Sequence, residues 1–347
     1  MNRNIPSTDL RSAELTEARA REHKGPLFGA RPGAYILIVL AVALCACAYS
    51  LRAYGIFNCQ ASGYGSGRYL AYCGATTYGD YDYGAFWFAL EPEAIGAAMN
   101  AQVLLLGNSR MQFGLSTAAT DDWFASLPAR YYLLGFAYNG NYRFEAPLLR
   151  KLHPKAEAYV INIDLFFEQS ESPPARTVMR EGGAKSRYEQ KRAWQRIHKP
   201  LCASLSAICG NGIAFFRSSV TGAWVVTGRG FTSKPVSYDQ SVDQSVVEAY
   251  TTAGNEFLSH LPVRRECVIL TMIPTVNTSI GTAKAIASAM GLRLVAPELA
   301  GLGTFDESHL DRQSAQLWST AFIEAAGPQI RNCLDVPTAA PGQSPKR

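Results

Sequence analysis

The sequence has no charged residue between Pro32 and Leu51, no Cys-x-x-Cys pair, no block of basic residues, no internal repeat and only five histidines. Each absence narrows what the chain can be. A net charge of +5 spread along the chain leaves no nucleic-acid footprint, which needs Lys and Arg gathered on one face or stripe. Without Cys-x-x-Cys or a Cys/His cluster there is no metal-ligand spacing, and no motif asks for a cofactor.

The uncharged stretch is itself a signal. Tyr35 to Leu44 is an unbroken apolar run apart from its tyrosine, and Gly33 to Leu51 reaches the ~20 residues that cross a bilayer. Arg3, Arg11, Arg19, Arg21, Lys24 and Arg31 precede it, while only Arg52 and Arg68 follow closely. The positive-inside rule then places the N-terminus in the cytoplasm and predicts a single-pass protein of the cell inner membrane with a periplasmic or otherwise extracytoplasmic C-terminal domain. A cleaved signal peptide competes, but both the basic lead and the apolar run exceed that pattern. Leu44-Cys45-Ala46-Cys47 loosely resembles a lipoprotein cleavage site, although cysteine at its second position fits poorly.

The organisation expected from composition is a mostly disordered tail over 1–31, helical around Ser12 to Glu22, and a membrane helix over 32–52. A Gly/Tyr-rich linker over 53–85 follows, then an α/β domain over 86–330 with an insertion at about 168–240, and a flexible tail over 331–347. Beyond the span lie Cys59, Cys73, Cys202, Cys209, Cys267 and Cys333, an even set that permits three disulfides in an oxidising compartment. Six cysteines allow fifteen connectivities. We expect Cys59–Cys73 and Cys202–Cys209 as local loops and Cys267–Cys333 as the third, with buried free thiols the alternative.

Short apolar runs at Val103–Leu106, Tyr131–Leu134, Tyr159–Ile163, Val268–Met272 and Leu292–Val295 read as buried parallel strands. Helical stretches at Phe144–Leu152, Gln244–Leu261, Thr282–Met290 and Gln313–Ala326 alternate with them, the pattern of a doubly wound α/β domain. Such domains bind ligands outside the carboxyl ends of their strands. At the end of the first run stands Leu106-Gly107-Asn108-Ser109-Arg110, where a serine on a tight turn into a helix exposes its hydroxyl above the sheet. After the last run comes Asp306-Glu307-Ser308-His309-Leu310, in which an Asp three positions before a His can hold its Nδ1 proton and leave Nε2 as a base. The remaining histidines read blandly: His153 as a helix-end surface residue, His198 and His260 without a serine or carboxylate at useful spacing. Trp194 and Trp224 could stack on sugar rings or form the core of the insertion.

These blocks resemble the SGNH (GDSL-like) hydrolase superfamily, and within it the membrane-anchored O-acetyltransferase-like and esterase-like proteins of bacterial exopolysaccharide export. The resemblance runs from about Tyr83 to Ala326 and implies a three-layer α/β/α, flavodoxin-like domain with a five-stranded parallel sheet. It makes Ser109 the nucleophile, His309 the base and Asp306 the residue that orients it. An oxyanion glycine would be Gly135 or Gly140. The family's Gly-x-Asn-Asp block meets Ile161-Asn162-Ile163-Asp164 here, so its Asn falls on Ile163 and the donor is missing or replaced by Asn162, Asn139 or Asn141. Losing one such donor typically costs ~100-fold or more in rate. Arg110 and Asp164 are expected to touch substrate, an acylated polysaccharide. A transferase outside the cytoplasm, away from acetyl-CoA, also implies a membrane protein that hands over the acyl group. The opposing reading is a non-catalytic polysaccharide-binding or assembly subunit on the same fold.

Overall fold

In the computed structural model, which describes residues 32–74, 78–228 and 233–335, the apolar runs become strands of one sheet. The chain begins with α1 (Pro32–Tyr54), β1 (Arg68–Cys73), β2 (Gly79–Asp80), α2 (Asp82–Trp87) and α3 (Pro92–Met99). There follow β3 (Val103–Asn108), α4 (Ser109–Leu115), α5 (Ala118–Ala125), β4 (Tyr131–Phe136), α6 (Tyr142–Leu152) and β5 (Ala158–Asn162). The insertion contributes α7 (Pro173–Arg180), α8 (Ala184–Ser204), β6 (Ala214–Ser218), β7 (Trp224–Thr227) and β8 (Lys234–Pro235). Alternation resumes with α9 (Gln244–Leu258), β9 (Val268–Thr271), α10 (Ile280–Ala289), β10 (Arg293–Leu294), β11 (Gly303–Thr304) and α11 (Arg312–Cys333). The expected helix at Ser12–Glu22, the rest of the tail over 1–31 and residues 336–347 lie outside the described residues.

The chain divides into two units, Met1–Ser50 and Leu51–Arg347. Most of α1 falls in the first. Pro32–Ala53 is long and apolar enough to cross a bilayer, with mean hydropathy 2.4 and side chains such as Tyr35, Leu37 and Leu44 exposed.

In the second unit a five-stranded, wholly parallel sheet runs β10-β9-β5-β3-β4. The period of two in β3 divides its side chains between two cores. Leu104 and Leu106 join Phe144 and Leu148 of α6 and Phe257 of α9, whereas Val103 and Leu105 join Phe124 of α5 and Trp318 and Phe322 of α11. Helices therefore cover both faces. Because the chain leaves β3 for β4 on one side and later fills β5 on the other, a topological switch point opens at the carboxyl ends of β3 and β5. Three disulfides, Cys59–Cys73, Cys202–Cys209 and Cys267–Cys333, follow the expected pairing.

Element boundaries shift for identifiable reasons. α6 starts at Tyr142 because Asn141 caps it, Oδ1 accepting from the Arg143 N–H at 3.1 Å. α11 continues past Ala326 to Cys333, where the third disulfide ties it, so the expected tail begins later than 331. The larger correction concerns 53–85. Far from being a linker, this segment supplies β1 and β2 of a second, antiparallel sheet in the order β2-β1-β6-β7, completed by the insertion. Tyr69, Tyr78, Tyr81 and Tyr83 are buried, so tyrosines of the expected linker form part of a core.

Arg217 of β6 joins the sheets. It is fully buried, its Nε lies 2.9 Å from the Asp82 carboxylate, and its two Nη groups donate to the Leu133 and Gly135 carbonyls on the outer edge of β4. Gln112 Nε2 donates to the same two carbonyls at 3.1 and 3.0 Å, so the edge is capped without another strand. Burial of Asp82 without a counter-charge would be costly. Replacing Arg217 with Ala should lower unfolding stability by roughly 3–5 kcal/mol in denaturant titration, and a loss under about 1 kcal/mol would show that the joint is dispensable.

Asp80, beside this pair on β2, has its carboxyl pushed up to about 8, by burial first and the Asp82 charge second, against the pull of Lys191. The folded chain thus keeps a proton that the unfolded chain loses near pH 4, and the associated stability declines as pH rises from about 4 towards about 8. Asp80→Asn should flatten that decline in stability measured against pH; an unaltered slope would assign it to another group.

Candidate active site

The β3–α4 turn is shaped by three consecutive residues. Gly107 has φ +156°, and a Cβ there would stand 3.1 Å from the Cβ atoms of both Asn162 and Met111. Asn108 caps α4: its Oδ1 accepts from the Arg110 N–H at 2.9 Å, and its Nδ2 donates to the Asp164 carbonyl at 2.9 Å. Ser109, the first residue of α4, is only partly buried although the whole of β3 beneath it is buried. The hydroxyl thus stands at the carboxyl edge of the sheet.

The loop from Phe305 to His309 meets it there. His309 Nε2 lies 2.8 Å from Ser109 Oγ, and Nδ1 lies 2.7 Å from Asp306 Oδ2. The other carboxylate oxygen, Oδ1, accepts the N–H groups of Ser308 at 3.1 Å and His309 at 2.8 Å, so the loop backbone and the ring are held by one side chain. Glu307 takes the strain, with φ +70°. Half-burial pushes the Asp306 carboxyl up, but the His309 hydrogen bond and charge and the two amides outweigh it and hold it below the usual carboxylate range. An ionised Asp306 accepts the Nδ1 proton and leaves Nε2 to accept from the serine. The ring is flanked by Phe305, stacked at 5.5 Å between centroids, and by Phe113 at 4.5 Å.

Arg110 and Asp164, expected to touch substrate, are paired with each other across the switch point. Arg110 Nε also donates to Ser308 Oγ at 3.1 Å, so one guanidinium links the serine turn, the histidine loop and the end of β5. Burial pulls its pKa down, and Asp306 partly offsets this.

The expected oxyanion residues separate. Asn162 is fully buried, its Oδ1 accepting from the Ile273 N–H at 3.1 Å and its Nδ2 sealed from solvent, so it cannot reach a substrate oxygen. Asn141 is spent on the α6 cap and on the Ser170 carbonyl at 2.7 Å. Gly135 lies against the serine turn, where a Cβ would come within 2.7 Å of the Asn108 carbonyl oxygen, while Gly140 is packed against the Phe136 backbone. Asn139 sits exposed at φ +56° on the turn after β4.

Among the described residues, His198, Cys202 and Cys209 form a cluster of metal-ligand type, but the two sulfurs are joined as a disulfide. His198 bonds Tyr64 Oη and the Cys59 carbonyl, and burial lowers its pKa to about 4. Trp224 is buried and Trp194 partly exposed. Sequence reasoning missed Phe113 and Phe305; Phe113, four after Ser109 on α4, carried a usable sign in its helical spacing, whereas Phe305 lies on a loop and carried none. The chain matches no protein-family model, no curated protein and no solved structure.

Replacing Arg110 with Ala should free the 306–309 loop, speeding amide hydrogen exchange of Ser308 and His309 roughly tenfold, the effect of about 1.4 kcal/mol. Unchanged exchange would deny the guanidinium its positioning role.

Proposed function

We propose that this chain is a membrane-anchored, exported serine esterase or O-acyltransferase of SGNH type, acting on acyl groups, acetyl above all, of a polysaccharide. The observation that carries the reading is the continuous chain from Ser109 Oγ through His309 to Asp306, at 2.8 and 2.7 Å. It is supported by the site's place outside the strand ends of a parallel sheet and by the order in which nucleophile and base occur along the chain. α1 supports attachment to an inner membrane, and the three disulfides support a periplasmic domain.

In this mechanism Ser109 Oγ attacks the ester carbonyl as His309 Nε2 takes its proton, and Asp306 steadies the imidazolium. The tetrahedral oxyanion would be met by the Ser109 N–H at the start of α4, with Asn139 the expected donor side chain still open to solvent. Collapse expels the alcohol with the proton from His309 and leaves an acyl-serine. Water then regenerates the serine in an esterase; a sugar hydroxyl does so in a transferase, whose acyl donor would come from a partner membrane protein. The burial of Asn162 favours the second reading, a polysaccharide-binding or assembly subunit without turnover, because it removes one oxyanion donor.

A fluorophosphonate probe and an acetyl ester separate the two. The parent should be labelled and should hydrolyse the ester, whereas Ser109→Ala should lose labelling and at least roughly 1,000-fold in turnover. Equal turnover by parent and variant would defeat the catalytic reading, and an unlabelled parent that binds glycan would support the second.

A further inference from the structure

A cavity of about 890 Å³ lies between β7 and the start of α11, within the size range of ligand sites. Phe113 and Phe305, the two rings that flank the His309 imidazole, form part of its wall. The cavity thus reaches the two rings that flank the base. Its lining is divided in character: Val226 and Leu317 add exposed apolar surface, while Gln313 and Gln316 of α11 supply amides.

We infer that this cleft is the alcohol subsite of the serine centre, and that it takes the sugar ring carrying the ester. The inference rests on the serine-esterase reading. His309 Nε2 must return the serine proton to the departing alkoxide, so the alcohol half of the ester lies on the imidazole side, and the cleft adjoins that side through Phe113 and Phe305. A pyranose presents C–H faces and hydroxyl edges at once. Aromatic and aliphatic walls accept the faces, and side-chain amides, which both donate and accept, serve the hydroxyls. A purely aliphatic alcohol would leave the two glutamines facing it unused. In a transferase the same cleft receives the acceptor sugar, since deacylation retraces the path of the alcohol.

The test compares three acetates on the full chain in detergent: vinyl acetate, an O-acetylated methyl glycoside and octyl acetate. Val226→Trp, which fills the cleft from a position 36% exposed, should lower kcat/KM for the glycoside at least tenfold more than for vinyl acetate. Leu317→Ala, a milder change at an exposed site, should raise KM for the glycoside while affecting its kcat little, which guards against misfolding of the first variant. Parallel loss on all three esters, or no loss on the glycoside, would overturn the subsite. A parent that turns over octyl acetate but not the glycoside, or variants that hit octyl acetate hardest, would replace the sugar with a lipid. If the parent hydrolyses no ester and takes no fluorophosphonate, the serine-esterase reading itself has failed, a result distinct from failure of the cleft.

Discussion

The buried guanidinium of Arg217 is the interaction on which the two sheets of this domain depend. A cation with no solvent exposure persists only when its donors are matched, and here a carboxylate, Asp82, and two strand-edge carbonyls match them. Those carbonyls belong to Leu133 and Gly135 on β4, the strand beside the serine turn. Gly135 in turn packs against the Asn108 backbone, which permits no side chain. The antiparallel sheet is therefore coupled to the edge where the serine stands, through two carbonyls that Arg217 and Gln112 cap together.

Around the switch point, charge is used for placement. Arg110, Asp164 and Ser308 form a brace that joins segments far apart in sequence, and Asp306 divides its two oxygens between loop amides and an imidazole. Ser109 and His309, 200 residues apart, meet because the loop after β11, which pairs with β8 outside the parallel sheet, reaches the serine turn at the end of β3, and because α11 packs on the sheet with Trp318 and Phe322. Side chains oriented by such second partners hold their geometry without reorganising. Asn162 shows the reverse: buried under Gly107, it serves the sheet and is lost to the site.

Much of this was legible in the residues. The parallel strands are continuous apolar runs because both of their faces are covered, and such runs stand out without any knowledge of neighbours. Gly107-Asn108-Ser109 and Asp306 to His309 are local blocks whose internal geometry, a tight turn and an i, i+3 pair, is set by nearby backbone. The segment from 53 to 85 misled because Gly and Tyr are loop-like in composition; β2 pairs with β1, but β1 takes its other partner, β6, from more than a hundred residues later. Arg217 carries no local sign of burial, since an arginine in a short strand most often faces water.

The sequence by itself determined the apolar helix, the strand runs, an even set of cysteines and the two blocks that hold Ser109, Asp306 and His309, all properties of composition and short-range spacing. Only the tertiary structure decided which partners those groups acquired. It paired Asp164 with Arg110, withdrew Asn162 into the core, turned a linker into a sheet, and set a cleft against the two rings that flank His309. The physical reason is that hydrogen-bond and charge pairing at a sheet edge is satisfied by whatever the fold brings within about 3 Å, and that choice depends on long-range packing that no local spacing encodes.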